Sequence, residues 1–243
     1  MRSLTLWIME QIKTEPVLTA NLRTLTIAYF LVASLEIAAE FTTETSMIYI
    51  VKPMLMPLLI LIYWQSSDKR DIIYMLALVF SMAASFFFIS GDIKSIQVGA
   101  IFFFIHRSLI IWRILYHIKL PGLFPLLVGC VPFFFIYMSL VNMTFDKLGD
   151  GLYIFIAQCL LVSFMGGLAV GSYILHSNKT NRFLLLSTLL FALTQFIFVI
   201  RLYYFPSSYF QPLAMLMFVI AQYLFYKFLV RSENGPETDE IYL

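Results

Sequence analysis

Charge is scarce in this chain. Asp, Glu, Lys and Arg together make up 12% of its 243 residues, about half the share of a soluble globular domain. That scarcity excludes an ordinary water-soluble globule, because hydrophobic residues reach 61% and water could not accommodate so much apolar surface on one unit. A net charge of only +2 argues against a nucleic-acid partner. Cysteine is nearly absent. Cys130 and Cys159 both lie inside apolar blocks, so they form no disulfide framework and read as soft packing residues. Soluble catalytic signatures are missing as well: there is no GxSxG, HExxH, CxxC or phosphate-binding P-loop, which counts against those enzyme classes and no others. No cofactor motif and no metal-ligand spacing is found. The first residues, SLTLWIMEQI at 3–12, are too short and too polar at Glu10 for a secretory signal. They read as a short amphipathic helix lying on a membrane surface.

What the chain does have is long apolar blocks. A helix needs about 20 apolar residues to cross some 30 Å of hydrocarbon, and the blocks at 20–40, 46–64, 71–90, 96–117, 121–142, 152–175, 182–204 and 209–230 meet that length. They are continuous, which excludes the alternating segments of a membrane β-barrel. Short polar separators lie between them: QSSDKRD, SGDIKS, FDKLGDG and HSNKTNR. The expected fold is therefore all-α, a polytopic membrane helix bundle of about eight transmembrane helices. It has an N-terminal interfacial segment over 1–19, a transmembrane domain over 20–230 and an acidic disordered tail over 231–243. Lys and Arg set the orientation. Arg2, Lys13, Arg23, Lys69, Arg70, Arg113, Lys119, Lys179, Arg182, Lys227 and Arg231 collect on one side, and only Lys52, Lys94, Lys147 and Arg201 on the other. Both termini are expected to face the cytoplasm, in agreement with an even number of spans, and the expected location is a bacterial inner membrane.

Inside the blocks, polar groups mark packing or function. Gly167 and Gly171, with Gly166 beside them, form a small-xxx-small stripe in the sixth span that lets helix backbones approach closely. Prolines 53, 57, 125 and 132 open or kink their helices. Ionisable groups at the middle of a span are costly, about 2.5–3.5 kcal/mol on insertion scales, and are turned inward and paired. Glu36 and Glu40 share one helical face and lie near Lys52, so a Glu–Lys pair across two neighbouring helices is expected, either as an interfacial ion pair or as the polar wall of a pocket opening to the outer half of the membrane. His106 and Arg107 are adjacent and point about 100° apart. Arg107 needs an acid, carbonyl groups, water or a lipid phosphate. His106 is either a general acid/base or a hydrogen-bonded bundle residue. Gln158, Gln195 and Gln222 read as interhelical hydrogen-bonding groups, and Trp7, Trp64 and Trp112 as interfacial aromatics.

Several segments in order resemble the YhhN family of lysoplasmalogenase-like membrane proteins, over residues 28–230. KPMLMPLLIL at 52–61 is similar to the family's Lys-Pro-led second helix. LALVFSMAASFFFI resembles its third helix, FFFIHRSLI a segment with a His after an aromatic stretch, LLFALTQFIFVIRLYYFP its seventh helix, and FVIAQYL keeps an Ala-Gln pair at Ala221 and Gln222. The resemblance implies hydrolysis of the vinyl-ether bond of lysoplasmalogens by two intramembrane aspartates, one in span three and one in span seven. A desolvated carboxylic acid can deliver the proton to carbon that begins this reaction. Here those positions hold Ser85 and Gln195. Lys52, His106 and Gln222 remain to shape a head-group pocket, with Glu40, Ser85, Arg107 and Gln195 as its other expected walls.

The favoured expectation is a catalytically impaired relative that binds a membrane lipid or serves as an accessory subunit, its 231–243 tail available to other membrane-protein subunits on the cytoplasmic side. An active ether hydrolase with a relocated acid at Glu36 or Glu40, partnered by His106, is the alternative. A small-solute transporter ranks third, because no inverted repeat or paired broken helices are found.

Overall fold

The computed structural model describes residues 2–234, with side chains placed for 21–149 and 151–234. The side chains of the expected interfacial segment over 1–19, and the tail from 235 onward, lie outside the described residues. Among those described there are helices and no strands. In chain order they are α1 (Arg2–Thr42), α2 (Thr45–Val51), α3 (Leu55–Ser66), α4 (Ile72–Ser90), α5 (Ile93–His117), α6 (Leu123–Leu148), α7 (Leu152–Leu175), α8 (Lys179–Tyr203) and α9 (Phe210–Glu233). Short 3-10 turns at Lys52–Met54 and Gly149–Gly151 join α2 to α3 and α6 to α7. With α2 and α3 forming one crossing, eight stretches are long and apolar enough to span a membrane. The last helix ends at Glu233, beyond the expected limit at 230.

The polar separators begin helices because their side chains satisfy the free N–H groups of a first turn. Asp71 Oδ1 accepts from the N–H of Ile73 at 2.9 Å and of Tyr74 at 3.4 Å. Asp92 Oδ2 accepts from Ser95 N–H, and Asn178 Oδ1 from Asn181 N–H. Gly91 closes α4 with φ of +72°, a left-handed conformation that costs glycine little. Chain reversals this tight give antiparallel hairpins, and the closest helix pairs are α4 with α5, α6 with α7, and α8 with α9.

Two features position the interior. At the glycine stripe, a Cβ on Gly129 would lie 2.9 Å from Gly167 Cα, and one on Gly167 would lie 2.8 Å from the carbonyl oxygen of Leu126. The α6 and α7 backbones are thus in contact, as the sixth-span glycines led one to expect. In the second crossing, Pro53 and Pro57 interrupt the helical N–H series, and the 3-10 turn turns Lys52 inward, where it is buried. The main core runs through α1, α3, α4, α5, α7, α8 and α9 around Tyr29, Tyr63, Tyr74, Leu168, Phe225 and Phe228. Large side chains such as Ile50, Phe124, Phe135 and Tyr153 remain exposed. That inversion suits a bundle whose outer solvent is lipid.

Candidate functional site

Between α4, α5, α7, α8 and α9 lies a partly open cavity of about 150 Å³. It starts at the end of the bundle that carries the α4–α5, α6–α7 and α8–α9 turns, marked by Leu148, Gly151 and Tyr203, and reaches inward to Ser85, Gln158 and Gln195. Its walls are mostly apolar and aromatic, including Phe88, Phe103, Phe155, Phe191, Phe198, Met215 and Phe218. Polar groups are few: Lys52, Ser85, Gln97, Gln158, Thr194, Gln195, Tyr203 and Gln211. A mostly apolar concavity with a few convergent polar groups is the usual form of a small-ligand site.

At the mouth, the expected ion pair is made. Lys52 Nζ donates to Glu40 Oε1 at 2.7 Å and lies 3.6 Å from Glu36 Oε1. Gln211 Nε2 donates to the same Glu40 oxygen at 3.3 Å, and its own Oε1 accepts from Arg201 Nη1 at 2.7 Å. The network thus runs Glu36–Lys52–Glu40–Gln211–Arg201. Of these, Lys52 and Gln211 line the cavity and the two glutamates stand behind Lys52. Glu36 is fully buried, and neither of its carboxylate oxygens has a hydrogen bond.

At the inner end, Arg107 is buried behind two glutamines. Its Nη1 donates to Gln158 Oε1 at 2.6 Å and to Gln195 Oε1 at 2.5 Å, and its guanidinium lies 4.9 Å from the Phe103 ring. His106 points elsewhere. Its Nδ1 meets the Ala77 carbonyl at 2.8 Å. A carbonyl only accepts, so this nitrogen carries the proton, and Nε2 is left to accept from Gln222 Nε2 at 3.3 Å. Gln222 also donates to Ser81 Oγ.

The two positions where the resemblance expects acids, Ser85 and Gln195, therefore face one cavity. Of the other expected pocket residues, Lys52 lines it, Glu40 and Arg107 stand one layer behind, and His106 and Gln222 bind each other deeper in the bundle. Sequence reasoning did not assign Gln97, Gln211 or Tyr203 to the pocket. A signal for Gln211 was present, since it lies near the start of its span at the same membrane depth as Glu40.

A second polar cluster sits at the opposite end. Asp71 pairs with Arg113, whose Nη2 donates to His117 Nε2 at 3.1 Å. Glu233 accepts from Tyr63 Oη at 2.7 Å and from Ser67 Oγ at 2.5 Å. Donor atoms of Asp71, His117 and Glu233 lie within 4.8 Å of one another, a set able to hold a divalent cation. The Arg113 guanidinium already supplies positive charge there. This clasp ties the ends of α3, α4, α5 and α9 together.

Fold and cavity together define a polytopic membrane protein with an intramembrane, largely apolar pocket. The YhhN family model matches residues 47–229, and the chain belongs to the YhhN family. No curated protein and no solved structure matches it.

Proposed function

We propose that this chain binds a single-chain membrane lipid in the cavity and does not hydrolyse it, acting as a lipid-binding or accessory component of a membrane assembly. The observation that carries this reading is the cavity lining. Ser85 and Gln195 stand at the two positions where the family resemblance expects aspartates, and among the described residues the lining includes no Asp or Glu. Vinyl-ether cleavage starts with proton transfer to carbon, which needs a positioned acid. The Ser85 hydroxyl donates to the Ser81 carbonyl at 3.0 Å, and an amide such as Gln195 has no acidic proton to give. What remains is a slot whose aromatic walls suit an acyl or alkenyl chain and whose inner end is polar.

The test is direct. The purified full-length chain should carry co-purifying lipid in an organic extract analysed by mass spectrometry. It should release no fatty aldehyde from lysoplasmalogen above a Ser85→Ala control. Aldehyde release by the native chain, abolished in a Glu36→Gln/Glu40→Gln variant, would instead establish the relocated-acid hydrolase. Lys52 lines the cavity between those glutamates and any bound lipid, which is why that reading ranks second.

A further inference from the structure

Arg107 is 3% exposed, and among the described residues it forms no ion pair. Both hydrogen bonds from Nη1 go to neutral amide oxygens, and Nη2 is buried with no hydrogen-bond partner. An arginine keeps its charge in any protein environment, and a buried cation without a counter-ion is strongly unfavourable. The nearby titratable side chains do not supply the missing charge. The Tyr137 hydroxyl donates to the Ala192 carbonyl, and Cys159 is a buried thiol. At the mouth the balance is different, since Lys52 already has Glu40 and Glu36. Arg201 is half-buried and is linked to Glu40 through Gln211, so the buried cation of this site with no carboxylate in its network is the one at the inner end.

The two caps on Arg107 are also cavity walls. Gln158 is fixed at its other end, where Nε2 donates to the Ala100 carbonyl at 2.9 Å. The Gln195 side chain has Arg107 as its one hydrogen-bond partner among the described residues. A rotation of the Gln195 side chain would uncover Nη1 to the cavity and leave the Gln195 amide N–H free to donate to whatever replaces it.

We infer that the cavity takes its ligand as an anion: a single-chain amphiphile with a net negative head, a phosphate monoester or a carboxylate, paired to Arg107 through the Gln195 gate. This rests on the lipid-binding reading above and narrows it, because an uncharged head leaves Arg107 uncompensated and a zwitterionic head brings, with its phosphate, a cation for which the described cavity lining offers no carboxylate. An ionised oxygen accepting from a guanidinium makes a stronger bond than the amide oxygen it displaces. The apolar walls hold the chain, which leaves through the cavity mouth.

The experiment measures equilibrium binding of four radiolabelled probes of matched chain length to the full-length chain in nanodiscs of zwitterionic lipid. The probes are lysophosphatidic acid, a fatty acid, lysophosphatidylcholine and a monoacylglycerol. The expected result is binding of at least one anionic probe about tenfold or more tighter than the monoacylglycerol. Whichever anionic head binds tighter identifies phosphate or carboxylate as the source. Arg107→Gln should bring the anionic probes to within about twofold of the uncharged one, and Arg107→Lys should keep most of the preference. Gln195→Glu, isosteric with the native amide, places a carboxylate against the intact arginine and should abolish the preference as well, which keeps the inference testable if Arg107→Gln does not fold. Equal binding of all four probes, or an anion preference that survives Arg107→Gln, overturns the inference and leaves lipid binding standing. Binding of none of them overturns both.

Discussion

Lys52 holds two carboxylates at once, 2.7 Å from Glu40 and 3.6 Å from Glu36. The second contact matters more for stability, because Glu36 has no hydrogen bond to its carboxylate oxygens and no other ion-pair partner among the described residues. Removing one member of a buried pair leaves an uncompensated charge and typically costs about 3–5 kcal/mol. Lys52→Met should accordingly lower the thermal midpoint in detergent sharply. Adding Glu36→Leu and Glu40→Gln to it should recover most of the loss, since the charges then disappear together. The proximity of Glu36, Glu40 and Lys52 was legible in the sequence, because all three fall near the same ends of neighbouring spans. The neutral capping of Arg107 was not. Gln158 and Gln195 lie 51 and 88 residues from it, and nothing local to FFFIHRSLI says which way its arginine turns.

Helix pairs carry most of the bundle's organisation. Adjacent apolar blocks with separators of a few residues can only reverse, so the hairpins α4–α5, α6–α7 and α8–α9 follow from loop length. The α6–α7 backbones touch because Gly129 and Gly167 present bare backbone to each other. In lipid, helix association depends on such packing contact. Gly167→Leu should force the pair apart and destabilise by roughly 1–3 kcal/mol, read as a lower unfolding temperature, while an equally large residue at lipid-facing Phe135 changes little. The break in span two was also legible, from Lys-Pro at 52–53. Other interhelical ties were not. Tyr29 Oη bonds the Val219 carbonyl at 3.0 Å, Tyr137 Oη that of Ala192, and Ser187 Oγ that of Ala221. Each joins a side chain to a backbone oxygen whose sequence neighbours give no hint of the pairing.

At the scale of the molecule, the two polar clusters occupy opposite ends of the bundle. The cavity mouth with Lys52 and Arg201 lies at the end poor in Lys and Arg. The Asp71–Arg113–His117–Glu233 clasp lies at the end where basic residues collect. The positive-inside rule predicts a cytoplasmic clasp and an outward mouth, so lipid would enter the cavity from the outer leaflet. A C-terminal green fluorescent protein fusion should fluoresce, and an alkaline phosphatase fusion at the same point should be inactive; the reverse pattern would invert the molecule and place the mouth inside.

By itself the sequence determined that the chain crosses the membrane, where each crossing lies and which side its charge bias favours. These are local properties: a run of apolar side chains is long enough for hydrocarbon or it is not, and a separator carries cations or it does not. Only the tertiary structure decided that Ser85 and Gln195 share one cavity, that His106 turns away to Gln222, that Glu233 belongs to a buried clasp, and that Arg107 faces two amides with no acid beside it among the described residues. Those outcomes depend on how far each helix is rotated about its axis and how closely it approaches its neighbours. Packing across distant parts of the chain sets both, and the apolar content of a single span leaves them open.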